Sequence, residues 1–234
     1  MVYARQIGDR TITFGVSGLL WNRSLVMYDV ETNSHWSHIL GRAMDGPLKA
    51  QRAAKQAPFC ACSSKDTMLV MLPSEMTTWK EWLTSHPDTT VLNLPRSHKA
   101  FTRDFYKNPA DFVFGWAAGR KRYHAGLDAL AASPVRNIES DTGSLVVTYD
   151  PASTNVQIFS RTLDGKELHF TLDGQALMRD KETGPLGDVI SGVSVDGPSK
   201  GKRLERRLGM ISYRRAWNDF YPASRDALRK SEEV

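Results

Sequence analysis

Two stretches of the chain share one alternation of polar and apolar positions. Thr11-Ile12-Thr13-Phe14-Gly15-Val16 and Lys166-Glu167-Leu168-His169-Phe170-Thr171-Leu172 alternate with a period of two, the pattern of a half-buried strand. Residues 24–30 and 176–179 read as the next strand of each stretch. Asp29-Val30-Glu31-Thr32-Asn33 and Asp180-Lys181-Glu182-Thr183-Gly184 follow as turns. An Asp at the head of such a turn bonds the amides ahead of it, and Asn or Gly supplies a left-handed residue near its end. Asp29 and Asp180 are therefore read as turn residues rather than as paired catalytic carboxylates. A short helix closes each stretch. Thr78-Trp79-Lys80-Glu81 has capping-box spacing, Trp82-Leu83 is its expected buried face, and Pro87 and Pro222 stop the two helices. Trp82 and Trp217 are expected to be core anchors.

The two stretches align along their length. Tyr3-Ala4-Arg5-Gln6-Ile7 lies over Phe159-Ser160-Arg161-Thr162-Leu163 at an offset of 156, and Phe14 and Gly18 then meet Phe170 and Gly174. After extra residues in the first stretch the offset is 151: Met27 meets Met178, Asp29 meets Asp180, and Asp45-Gly46-Pro47 meets Asp196-Gly197-Pro198. After a longer excess it is 135, where Trp82 meets Trp217 and Pro87 meets Pro222. So ordered a set of identities reads as a duplicated unit. The expected fold is α+β, mainly β: two homologous β-rich units with short helices, the first incomplete at its N-terminus. Residues 1–92 form the first unit, 93–118 a packed connector, and 119–234 the second unit with a basic C-terminal segment. The second unit carries β-prone sequence such as Leu145-Val146-Val147-Thr148-Tyr149 ahead of its matching start, whereas only Met1 and Val2 precede that point in the first. The edge over residues 3–16 is thus expected to expose Ile12, Phe14 and Val16 and to recruit a second copy or a partner chain.

Composition narrows the class. The chain has 234 residues, 41% apolar and 24% charged, which fits a globular fold. No run approaches the roughly 18 apolar residues of a membrane-spanning helix. Two cysteines do not make a disulfide scaffold, and the first residues lack the apolar core of a signal peptide. Residues 200–234 hold ten Lys and Arg against five acids, which accounts for the whole net charge of +5. Arg203, Arg206, Arg207, Arg214 and Arg215 are the candidate anion-binding residues of this segment. Leu204, Leu208 and Ile211 sit between them at helical spacing, so a solvated helix face is the favoured reading and nucleic acid is disfavoured as a partner.

The run Thr13-Phe14-Gly15-Val16-Ser17-Gly18-Leu19-Leu20-Trp21-Asn22, with Leu25-Val26-Met27-Tyr28-Asp29, Trp36-Ser37, Gly46-Pro47-Leu48, Leu72-Pro73-Ser74 and His86-Pro87-Asp88-Thr89, resembles the signature of domain-of-unknown-function family 3179 (DUF3179). The resemblance covers most of residues 1–92 and, more weakly, 119–222. It implies a bacterial or archaeal protein, often exported, and so a place in the cell envelope or outside the cytoplasm. Members carry a Tyr-Cys-Pro-x-Cys stretch ahead of the Thr-Phe-Gly-Val-Ser-Gly strand. This chain starts after that point, and its second unit has Tyr149-Asp150-Pro151 there instead.

Three patterns could carry chemistry. Cys60-Ala61-Cys62 could grip a soft metal ion or form a redox pair, with Met68 and Met71 as further thioether ligands; zinc would need two more ligands. The plainer alternative is a pair of thiols in a variable loop, with residues 68–72 as a core strand. His35 and His38 lie three apart on an extended segment, where their side chains point to opposite faces, and Leu186 and Val189 occupy the matching places. Gly15-Val16-Ser17-Gly18 sits between strands and lacks a P-loop lysine, and it is not a nucleophile elbow. The leading expectation is a non-catalytic binding or accessory protein. A thiol or soft-metal protein acting through Cys60 and Cys62 is the alternative, and a polyanion binder using the basic segment a further one.

Overall fold

A computed structural model describes residues 1–49, 67–91, 108–182, 184 and 186–229 of the chain. It is β-rich with a few short helices. Among the described residues no helix is long and apolar enough to cross a membrane.

The largest core forms around a hairpin of Phe112–Ala118 and Lys121–Gly126, which turns at Gly119 with φ +58°. Gly209–Tyr213 pairs antiparallel on one side of this hairpin and Arg225–Asp226 parallel on the other, giving a four-stranded sheet. A meander of Val135–Ser140, Gly143–Asp150 and Asn155–Ser160 lies beside it. Its middle strand is buried on both faces, as its run of β-branched residues requires. Trp116, Trp217, Leu130, Val147 and Ile158 fill the space between, each at most 1% exposed. The Trp217 ring lies on Gly115, where a Cβ would fall inside the indole. A bare backbone there is what lets the helix Arg214–Phe220 approach the sheet.

Residues 2–91 and 158–224 then make the same backbone pairings at the offsets read from the sequence. Tyr3 faces Met71, and Phe159 bridges Arg206. The Ala4 amide donates to the Val70 carbonyl at 2.8 Å, and the Ser160 amide donates to Glu205 at 2.8 Å. Ile12 bonds back to Arg5, and Leu168 to Arg161, both at 2.9 Å. Phe14 stands opposite Asp29, and Phe170 opposite Asp180. Met27 stands opposite Trp36, and Met178 opposite Gly187. Arg42 bridges Met68, and Val193 bridges Arg203. An aromatic ring covers a left-handed glycine in each segment: Tyr3 over Gly41 (φ +61°) and Phe159 over Gly192 (φ +67°). Any side chain at either glycine would collide with that ring as well as strain the backbone. The helices agree too. Trp82 Nε1–H donates to Thr89 at 3.0 Å and Trp217 Nε1–H to Ser224 at 2.9 Å, each seven residues on.

Several expectations change. Residues 112–118, read as part of a connector, form the central strand of the four-stranded sheet. Leu204, Leu208 and Ile211 are not on a helix: Ile211 belongs to the strand Gly209–Tyr213, and the helix starts only at Arg214. The exposed edge of Phe112–Ala118 offers hydrogen bonds that outweigh the weak helical spacing of this segment. The edge over residues 3–16 is closed in part, since Val2–Tyr3 pairs with Met71–Leu72 and Ile12 is 1% exposed; Val16 remains in solvent at 68%. Trp82 is not a core anchor. Thr78 caps its helix as expected, accepting from the Glu81 amide, but no residue of Trp79–Ser85 is buried and Leu83 is 40% exposed. Its ring stacks on His86 at 4.0 Å. Residues 74–78, which match the strand Gly209–Tyr213, are in no strand, so among the described residues the sheet that lies under Trp217 has no counterpart under Trp82.

The two tryptophans should therefore respond differently to truncation. Trp217→Ala removes a fully buried ring and should cost about 3–5 kcal/mol in denaturant unfolding. Trp82→Ala should cost no more than about 1–2 kcal/mol. Equal losses would mean that the first helix has a buried face after all.

Candidate functional site

The buried aspartate at the head of each hairpin turn organises its surroundings. Asp29 is fully buried, and its Oδ1 accepts the Thr32 amide at 2.6 Å and the Thr32 hydroxyl at 2.7 Å. Asn33 follows at φ +56°, the left-handed residue that closes the turn. The other oxygen, Oδ2, accepts the Trp36 indole N–H at 2.8 Å. Trp36 is itself completely buried and meets Phe14 edge-on, with centroids 5.4 Å apart and planes at 85°. Ala43, Leu48 and Leu69 complete this small core.

Asp180 is buried in the same way, at 2% exposure, and its Oδ1 accepts the His169 amide at 3.2 Å. Phe170, Met178 and Leu204 repeat the positions of Phe14, Met27 and Leu69, and all three are buried. Gly187, however, stands where Trp36 would be, and Ser199 where Leu48 would be. The result is a cavity of about 320 Å³, lined by the apolar Leu168, Phe170, Met178 and Leu204 and by the polar Asp164, Lys166, Asp180, Ser194, Ser199 and Lys202. Its volume lies in the range of small-molecule sites. Sequence reading passed over this place because both aspartates served equally well as turn residues. The signal that could have found it was the loss of a tryptophan at the aligned position.

A second cluster forms at the far end of the four-stranded sheet. Tyr123–His124 pairs with Arg225–Asp226, and the Ala227 amide donates to the His124 carbonyl at 2.8 Å. His124 Nδ1 lies 2.9 Å from Ser224 Oγ, which also accepts the Trp217 indole N–H. A Ser and an Asp are thus brought to a His that lies a hundred residues from the Ser in the chain. Their arrangement is structural. Thr89 accepts the indole of Trp82 in the same way with no histidine involved, so the hydroxyl is there to satisfy a tryptophan. Burial holds the His124 imidazole below its ordinary pKa; the Asp226 charge opposes this, and Arg214 and Arg229 reinforce it. The imidazole tautomer sets which of His124 Nδ1 and Ser224 Oγ donates in their hydrogen bond.

The other sequence candidates do not converge. Cys60 and Cys62 lie outside the described residues. Met71 is buried at 4% and Met68 is half-buried, next to the strand Met71–Leu72. His35 sits 3.0 Å from Asp45, while His38 is half-buried and held low first by burial and then by the N-terminal amine. Among the described residues no three His, Cys, Asp or Glu side chains gather as a metal site. Of the basic residues, Arg206 meets Glu75 at 3.6 Å and the Ser74 carbonyl at 3.0 Å. Arg207 pairs with Glu205 and Arg214 with Asp128, both at 3.0 Å. Arg203 and Arg215 are exposed on different elements, one at the bridge to Val193 and the other in the helix.

The lowered pKa of His124 has a sign. The unfolded chain takes up its proton first, at histidine's ordinary value of 6.5, while the folded protein resists it. Stability should be fully present above that value and fall as pH drops from 6.5 through the lower folded value. Urea unfolding between pH 8 and pH 5 should show this decline, and His124→Gln should shrink it. An identical pH dependence in the variant would contradict the assignment.

No curated protein and no solved structure matches the chain. A family model described as a protein of unknown function (DUF3179) matches residues 1–111, the part that carries the Thr-Phe-Gly-Val-Ser-Gly strand, its aspartate turn and Trp36. The match spans residues 1–111, a little under half of the chain, so the likeness to that family is a likeness of the first segment.

Proposed function

We propose that the protein is a non-catalytic binding protein built from two copies of one unit, in which the first copy is closed by its own tryptophan and the second binds a small apolar molecule. The observation that carries this reading is the cavity of about 320 Å³ between Phe170, Met178, Leu204 and Asp180. The shared backbone pairings support the duplication, and the exchange of Trp36 for Gly187 supports a division of labour between the copies. Binding is favoured over catalysis because Leu163, Leu168, Phe170, Met178 and Leu204 supply the apolar part of the lining, while among its charged groups Asp164 and Lys202 pair with each other at 2.5 Å. The polyanion reading is weakened by the acids and carbonyl that occupy Arg206, Arg207 and Arg214.

A neutral naphthylamine dye that brightens in apolar surroundings tests this reading. The folded protein should enhance its fluorescence with a stoichiometry of one. Gly187→Phe should remove the enhancement, because a Cβ at Gly187 meets only ordinary contacts, the nearest being Met178 at 3.4 Å, and the ring then projects into the cavity. Enhancement that survives this substitution would place the dye elsewhere and end the proposal.

A further inference from the structure

The lining of the second segment's cavity is sorted by depth. Leu168, Phe170, Met178 and Leu204 are buried and form its inner wall. Asp164, Lys166 and Lys202 also line it but are exposed, so they stand at its mouth. Ser194 and Ser199 are half-buried between the two zones. Asp180, the charged residue at depth, accepts the His169 amide on Oδ1.

The hairpin of Thr162–Leu163 and Lys166–Glu167 produces this sorting. Leu163 stands opposite Lys166, so both point to the face that borders the cavity, while Thr162 and Glu167 point away. On that far face Glu167 pairs with the buried Arg161 at 3.1 Å. Asp164 and Gly165 turn the hairpin at φ +51° and +76°, and Asp164 meets Lys202 at 2.5 Å. Of the two ammonium groups at the mouth, Lys202 is therefore neutralised by Asp164. The Lys166 ammonium meets no hydrogen-bond or ion-pair partner among the described residues.

We infer that this cavity holds a free aliphatic monocarboxylate, with its hydrocarbon chain against Leu168, Phe170, Met178 and Leu204 and its head at the mouth beside Lys166. The inference rests on the binding reading proposed above and adds the charged head and its place. Methylenes laid against Leu, Phe and Met side chains leave water and release whatever water the cavity holds, which is favourable in proportion to the area covered. The head stays outside, since the buried Asp180 would face a second anion at depth with little solvent to screen the pair. At the mouth, one unpaired ammonium matches one negative charge.

Calorimetric titration of the full chain with octanoate, octanol and octylammonium tests the inference, because the three share one chain and differ only in the head. Octanoate should bind at one site with a Kd on the order of 0.1 mM, and the alcohol and the cation each about fivefold or more weakly. Lys166→Met keeps an apolar stem at an exposed position and removes the charge. It should bring octanoate down to the affinity of the alcohol and leave octanol unchanged. Asp164→Asn suits the same left-handed turn position and should tighten octanoate several-fold, because it releases Lys202. Equal affinities of octanoate and octanol for the unmodified protein would overturn the carboxylate class while leaving an apolar site in place. Tightest binding of octylammonium would assign the head to an acid and overturn the inference in the same way. If none of the three binds, the inference falls; the binding reading falls with it only where the naphthylamine dye is not enhanced either.

Discussion

A carboxylate can be buried only if its oxygens are hydrogen bonded, and Asp29 meets that condition with groups from its own turn and from the strand beyond it. It takes an amide and a hydroxyl from Thr32 and the indole N–H from Trp36. The first two set the turn that joins Ser24–Asp29 to His35–Ser37, and the third draws the tryptophan inward. Register follows: with the turn fixed, Met27 must face Trp36, and the apolar side of the hairpin must face Leu48 and Leu69. Asp180 heads the corresponding turn and accepts the His169 amide, and its segment keeps the pairings of Phe170 with Asp180 and of Met178 with Gly187, although no tryptophan enters the space beside it.

A scaffold specified by backbone pairings can lose a core side chain without losing its shape. The second segment is braced from outside, where Asn137 exchanges two bonds with the backbone of Phe170, at 2.7 and 2.9 Å. Arg161, fully buried, bonds the Leu168 carbonyl at 2.8 Å and pairs with Glu167 and Glu139. Arg5, which matches Arg161 in sequence, is exposed, and among the described residues no strand equivalent to Val135–Ser140 lies over it.

Much of the fold was legible in the sequence. The aspartate-headed turns with Asn33 and Gly184 and the Thr78 cap depend on local chemistry, and each reappears in the structure, whereas the alternating runs 11–16 and 166–172 are each broken into two short strands, at residues 12–13 and 168–169. What escaped depends on partners distant in sequence. Residues 112–118 read as a connector because nothing local announces that Gly209–Tyr213 will pair with them. Trp82 read as core because Trp217 is, yet burial comes from Gly115 and the sheet under it rather than from the helix itself. The cavity escaped for the same reason: the alignment places Gly187 over Trp36, but only the complete burial of Trp36 turns that exchange into empty space.

The central claim is that one of two equivalent positions is filled by the chain and the other is open. Xenon, which enters apolar cavities without needing hydrogen bonds, reports this directly in a pressurised crystal. Anomalous density beside Phe170 and Met178, with none beside Phe14 and Trp36, is the predicted result. Side chains collapsed into the space around Gly187, with no xenon there, would contradict the account.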